Sequence, residues 1–255
     1  MLRYFHDFCQ KHQLRYYLAY GTLLGAIRHR GFIPWDDDID LMMPRPDYLR
    51  FIKLFDRQDH GSLKVVSIYN NPDYFAVLGK IIDTRTTLVQ DYGRVEKVEL
   101  GVYLDLFPLD GIPEDDAVAA KLIKRVRRWS FFCRLAIRKF SVNNPNPFKR
   151  VIMTVLSVPF RIIGPLFFIS KLEELGMRNK YDECTRVACT TSREILAQGI
   201  ERRHLEENIL VDFEGGKYPA PSSWEDYLSA HYGDYMTPPP ENQRQPHLHT
   251  VFWKS

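Results

Sequence analysis

In GTLLGAIRHRGFIPWDDDID, residues Gly21 to Asp40, four carboxylates fall within five positions: Asp36, Asp37, Asp38 and Asp40. Two aspartates at i and i+2 of a strand leave one face about 6 to 7 Å apart, close enough to grip one or two divalent ions. Asp38 and Asp40 have that spacing. Mg2+, or the similar Mn2+, takes a few carboxylates, waters and substrate phosphates rather than an all-protein cage. A third carboxylate from a neighbouring strand would complete the set. Asp105 is the candidate, because it stands among Val102, Leu104, Leu106 and Phe107, where an acid is costly to bury unless a cation or hydrogen-bond donors meet it. Gly21 and Thr22, at a turn opening a helix, offer backbone N–H groups and a hydroxyl to a phosphate. Together these residues describe metal-assisted phosphoryl-group transfer. The competing reading makes Asp36, Asp37 and Asp38 a solvated turn, with Asp40 as a cap.

The elements that must position these groups follow from periodicity. Leu2, Phe5 and Cys9 recur at helical spacing, LRYYLAYG reads as a strand ending at Gly21, and TLLGAIRHR as a helix with Thr22 at its N-cap. Gly31 and Pro34 end that helix. DDIDLMM then alternates as a strand, with Asp38 and Asp40 on one face and Ile39, Leu41 and Met43 on the other. RPDYLRFIKLF is a helix packed through Tyr48, Phe51, Ile52 and Phe55. LKVVSIY, FAVLGKIID, TTLVQ and ELGVYLDLFPLDGIP read as strands. Beyond about Pro113 helical patterns dominate, including the separate stretches VIMTVLSVPFRIIGPLFFIS and KLEELGMRNKY and a helix from about Ser223 carrying Trp224, Tyr227 and Leu228. The expected fold class is α+β, with a catalytic core at 1–112 and a mainly helical region at 113–255.

Composition sets the bounds. The chain has 255 residues, 45% hydrophobic and 26% charged, which is enough apolar material for one sizeable core. A net charge of +3 is too mild to argue for nucleic acid. Cys9, Cys133, Cys184 and Cys189 form no CxxC pair, and with His204 no zinc spacing, so a reducing cytoplasmic setting is expected. The N-terminal MLRYFHDFCQKHQ reads as a short amphipathic helix, not a signal peptide.

The run YGTLLGAIRHRGFIPWDDDIDLMMPRPDY resembles the signature of the LicD family, which includes bacterial phosphocholine transferases and the distant relatives of fukutin and fukutin-related protein. KIIDTRT at 80–86, GVYLDLFPLDGIP at 101–113 and YGDYMTPP at 232–239 extend the likeness over nearly the whole chain. The resemblance implies a nucleotidyltransferase-like fold, a small mixed β-sheet flanked by helices. It also implies that Gly21 and Thr22 form the phosphate-binding turn, that Asp38 and Asp40 form the metal-binding pair, and that Asp105 is the third acid. The implied activity is transfer of phosphocholine from CDP-choline, or another cytidine diphosphate donor, to a hydroxyl of a cell-surface glycan or its lipid-linked precursor, of teichoic acid, lipopolysaccharide or capsule type. Other cargoes compete: ribitol phosphate, glycerol phosphate, phosphoethanolamine or a nucleotidyl group. A non-catalytic membrane-associated scaffold is the reading from another class. Lys80 and Arg28 are candidate phosphate contacts and equally good surface cations. A choline ammonium needs aromatic faces, for which Trp35, Tyr232 and Tyr235 are candidates.

Two further stretches stand apart. The apolar segment 151–170 is interrupted by Pro159, Arg161 and Pro165, so a pair of broken helices is expected, buried against the core or lying on a bilayer. The basic residues before it, Lys121, Lys124, Arg125, Arg127, Arg128, Arg134, Arg138 and Lys139, suit anionic headgroups or a solvated helix face, giving a peripheral contact at the inner face of the plasma membrane as one option. The prolines of TPPPENQRQPHLH make the tail an extended surface segment, in which His247 and His249 are incidental or reach the site.

Overall fold

The first helix, α1 (Leu2–His12), buries Leu2, Phe5, Phe8 and Cys9 along one stripe, as its sequence pattern requires. The structure, a computed structural model, describes residues 1–90, 98–137, 147–190, 199–244 and 249–254. In the N-terminal half β1 (Tyr17–Leu18), α2 (Tyr20–His29), β2 (Asp40–Pro44), α3 (Arg45–Phe55), β3 (Leu63–Val66), β4 (Gly79–Asp83), β5 (Thr86–Gln90) and β6 (Tyr103–Ile112) follow. Then come α4 (Asp116–Ile137), α5 (Pro147–Ile163), α6 (Pro165–Gly176), β7 (Arg186–Ala188), β8 (Ile200–Glu201), α7 (Arg203–Glu206), β9 (Ile209–Phe213), β10 (Gly216–Ala220), α8 (Trp224–Tyr232) and β11 (His249–Trp253). This is an α+β fold, as expected.

The main sheet runs β1-β2-β6-β4-β3, with β7 on the far half of β6 and β8 beyond it. Its β2–β6 pair is parallel and the other pairs are antiparallel, so the sheet is mixed. Leu41, Met42 and Met43 are all fully buried. A strand covered on both faces reads as a continuous apolar run, so strict alternation does not carry through β2. The β9–β10 hairpin turns through Glu214 and Gly215 at φ 47° and 72°, the positive values a two-residue hairpin loop demands.

Several expectations need correction. The first strand is only two residues long. Ala19, in extended conformation and without a side-chain cap, is the N-cap of α2, and Thr22 lies inside the first turn. β2 starts at Asp40, so Asp38 is held by the preceding loop and not by the pleat. KLEELG completes α6 and forms no helix of its own. KYPA is the second strand of a hairpin, with Pro219 in a two-stranded sheet. The end of the tail adds β11 to β5, while His247, Arg138 and Lys139 lie outside the described residues.

The two halves share one core. Leu2, Phe5 and Tyr17 from the start pack in the same cluster as Phe213, Tyr218, Tyr227 and Leu228. A buried ionic seam adds to it. Arg45, at the start of α3, donates from Nε and Nη2 to both Asp110 oxygens at 2.8 and 2.7 Å, and from Nη1 to Glu173 Oε2 at 2.8 Å. Thr190 Oγ1 donates to Asp110 at 2.8 Å and the Tyr69 hydroxyl donates to Glu173. Arg45, Asp110 and Glu173 are all buried. Burial raises the Glu173 carboxyl above its usual range while Arg45 pulls it back. The seam joins α3, β6, α6 and the segment after β7.

Candidate active site

The parallel register of β2 and β6 sets Asp40 directly beside Asp105, and the antiparallel register of β6 and β4 sets Asp105 beside Lys80. Neighbouring strands lie about 4.8 Å apart and residues paired in register share a face, so the three form one row across the sheet. Lys80 Nζ is ion-paired with Asp105 and sits 3.3 Å above the ring of Tyr103, both groups being buried. That answers the cost of burying Asp105: a cation meets it. Lys80 is thus an interior cation and not a surface one.

The strand ends are pinned by main-chain bonds. Asp105 N donates to the Ile39 carbonyl at 2.8 Å, and Ala19 N to the Asp40 carbonyl at 3.0 Å. Asp40 N donates to Thr22 Oγ1 at 2.8 Å, so the buried threonine ties the first turn of α2 to the acidic strand. Asp36 finds its role at the same turn. A Cβ on Gly21 would stand 2.2 Å from Asp36 Oδ2, so only glycine lets that carboxylate lie against the helix start, where exposed N–H groups favour an anion. A phosphate arriving at Gly21 and Thr22 would share the turn with Asp36 or displace it.

Charge is concentrated at Asp40. Burial, then the carboxylates of Asp38, Asp105 and Asp36, push its carboxyl well above the usual range, and Lys80 acts in the opposite sense. Among the described residues no three His, Cys, Asp or Glu side chains stand ready as a metal cage. The donor set still fits a hard divalent cation. It offers oxygen ligands whose mutual repulsion an added cation would relieve, and Mg2+ completes its shell with water and substrate oxygens.

The loop that carries Asp36 and Asp38 also carries Trp35, which belongs to a cationic and aromatic cluster. The Arg244 guanidinium stands 4.9 Å from the centre of the Trp35 ring, with His29 edge-on to that ring at 6.4 Å. Arg28 donates from Nη1 to the Tyr235 carbonyl at 2.7 Å. Burial and then the charge of Arg244 lower the Arg28 pKa. Tyr235 packs edge-on to Trp224, while Tyr20 lies against Phe107, His231 and Tyr227. Arg244, Tyr103, Tyr20 and His231 were not picked out from sequence. The first lies more than 200 residues from Trp35 and no local pattern couples them. The late YGDYMTPP block was the available signal. Cys184 and Cys189 are free, and His204 Nδ1 lies 3.1 Å from Ser222 Oγ.

Residues 13–122, which include Gly21, Thr22, Arg28, Asp38, Asp40, Lys80 and Asp105, match the family described as LicD/FKTN/FKRP, nucleotidyltransferase domain. The lipopolysaccharide cholinephosphotransferase LicD of Haemophilus influenzae is 29% identical over 254 residues, covering 97% of this chain and 91% of that protein. An uncharacterised protein of Rickettsia typhi is 44% identical over 46 residues, 18% of this chain and 15% of that protein. One from Rickettsia prowazekii is 45% identical over 42 residues, 16% of each.

Proposed function

We propose that this chain, which matches the LicD/FKTN/FKRP family over residues 13–122 and a lipopolysaccharide cholinephosphotransferase over nearly its whole length, is a metal-dependent transferase moving phosphocholine from CDP-choline to a hydroxyl of a cell-surface glycan or its lipid-linked precursor. The observation that carries the reading is the row Asp40, Asp105, Lys80 across three adjacent strands, with Asp38 and Asp36 at its edge. Such a row suits a substrate that brings negative charge and arrives with a cation.

Asp38, Asp40 and Asp105 would hold Mg2+ or Mn2+, which when bound neutralises charge on the donor diphosphate. The other roles belong to the chain itself. Lys80, fixed between Asp105 and the Tyr103 ring, would add a cation beside the diphosphate. Asp105 is assigned the ligand role because a carboxylate holding a metal is a poor base. Gly21 leaves room at the start of α2 for an anion, and Thr22 fixes the height of Asp40. Arg28, tethered to Tyr235, would supply a second phosphate contact. The acceptor oxygen forms its bond to the phosphorus bearing choline, the bond from that phosphorus to CMP breaks with its electron pair on CMP, and the hydroxyl proton passes to water. For the choline ammonium Trp35 is the candidate ring, and Arg244, which now lies over it, would have to move aside or leave the opposite face to the choline. A position at the inner face of a membrane, near a lipid-linked acceptor, belongs to the same reading.

The test is incubation with CDP-choline, Mg2+ and candidate glycan acceptors, following CMP release and product mass. Asp38→Ala and Asp40→Ala should each lower release by about a hundredfold or more, the scale of losing a charge-stabilising group. Release that survives both substitutions removes the proposed site. Transfer from a different cytidine donor, and none from CDP-choline, moves the cargo to another phosphate-linked group.

A further inference from the structure

Helix α5 is built inside out. Phe148, Val151, Ile152, Val155 and Ile162 follow i, i+3, i+4, i+7 and i+14, a single helical stripe, and every one faces solvent. Phe148 is 73% exposed and Ile162 81%, whereas Ser157 on the opposite side is 1% exposed. A helix on a water-soluble surface does the reverse. Its hold on the protein is nonetheless firm: Phe160 stacks on Phe132 of α4 with ring centres 5.0 Å apart and lies 5.7 Å from Phe168 of α6. The exposed stripe continues past the bend at Gly164 (φ 90°) into Leu166 and Phe167 at the start of α6.

We infer that this edge seats in one leaflet of an anionic bilayer, with α5 lying in the plane of the interface. The proposal deepens the membrane position read above and stands apart from the phosphotransfer chemistry. Charge selects the occupant. Lys121, Lys124, Arg125 and Arg128 of α4, which packs against α5 and α6, repeat at i, i+3, i+4 and i+7 and are exposed, giving a cationic stripe matched to anionic headgroups. A second copy docking through the same edge would bring an identical cationic stripe with it, so self-association is disfavoured where lipid association is favoured. The geometry also fixes the depth. At 1.5 Å per residue the 17 residues of α5 span about 25 Å, short of the roughly 30 Å hydrocarbon core. The chain also bends by 76° into α6, and no single helix among the described residues is long and apolar enough to cross. An apolar face sunk about 5–10 Å into the headgroup boundary fits instead.

The experiment is co-sedimentation of the full chain with vesicles of phosphatidylcholine alone or mixed with phosphatidylglycerol, at low and high salt. Binding is expected to the mixed vesicles and to weaken with salt. Val155→Asp with Ile162→Asp should lower it by about tenfold or more, since each side chain gives up its burial in lipid. Lys124→Ala and Arg128→Ala should each lower it about fivefold. Ile162→Trp leaves the fold untouched and should gain an emission quenched by acyl chains carrying bromine. Absence of binding at low salt overturns the proposal, as does equal binding by the Asp double variant. So does a lipid-free dimer that the double variant splits into monomers, which would give the face to a second copy. CMP release from CDP-choline reports on the other reading: release without vesicle binding removes this proposal alone, and vesicle binding without release leaves it standing.

Discussion

Asp40 holds a proton more tightly in the folded, metal-free chain than it would unfolded, because burial and three neighbouring carboxylates disfavour its charge. The folded state therefore binds more protons than the unfolded one above the ordinary aspartate value of about 3.9, and stability falls as pH rises through the raised value. Asp40→Asn cannot ionise and escapes that loss. In chelator, its melting temperature should exceed that of the unaltered chain by a few degrees at pH 7, and the difference should shrink towards pH 4. A variant less stable than its parent at pH 7 would contradict this account of the cluster. The same residue shows where sequence reasoning reached and stopped. Asp40 and Asp105 could be named from their settings and Lys80 only as a candidate phosphate contact or a surface cation, yet Asp36 was unexplained until its carboxylate was seen against Gly21, a contact made by folding the loop 31–39 back over α2.

Between elements, the decisive contact is the seam of Arg45 with Asp110 and Glu173. These charges are nearly fully buried, and removing one partner strands the others without water. Arg45→Ala should destabilise the chain by about 3–5 kcal/mol, read from denaturant unfolding. A loss below about 1 kcal/mol would mean that the seam is solvated. Because α3 and β6 carry the seam directly beyond β2 and Asp105, the variant should also weaken substrate use in the fraction that stays folded. Local pattern predicted α3 residue for residue and located β4 and β6, since apolar spacing alone decides those. It gave no strand at β10, where Pro219 argues against one, and it set Asp38 in a strand that begins at Asp40. It gave no hint of the seam, because Arg45 meets partners 65 and 128 residues away and long-range pairing leaves no periodic trace.

Over the whole molecule the charges are divided, with acids gathered where β2 and β6 lie side by side and exposed bases on α4, so the modest net charge of +3 conceals two surfaces of opposite character. The apolar content of 151–170 was plain in the sequence, and so was its break into two helices. Which way the apolar stripe faces was not, since a stripe has the same period whether it points at a core or at a solvent of lipid. That orientation changes the kinetics expected of the enzyme. With α5 seated in a leaflet, the catalyst and a lipid-linked acceptor diffuse in two dimensions while the donor arrives from bulk solution. Turnover should then follow the mole fraction of acceptor in the surface and not its overall concentration. Diluting the acceptor with inert lipid at constant total acceptor should slow the reaction, while Val155→Asp with Ile162→Asp should be blind to that dilution.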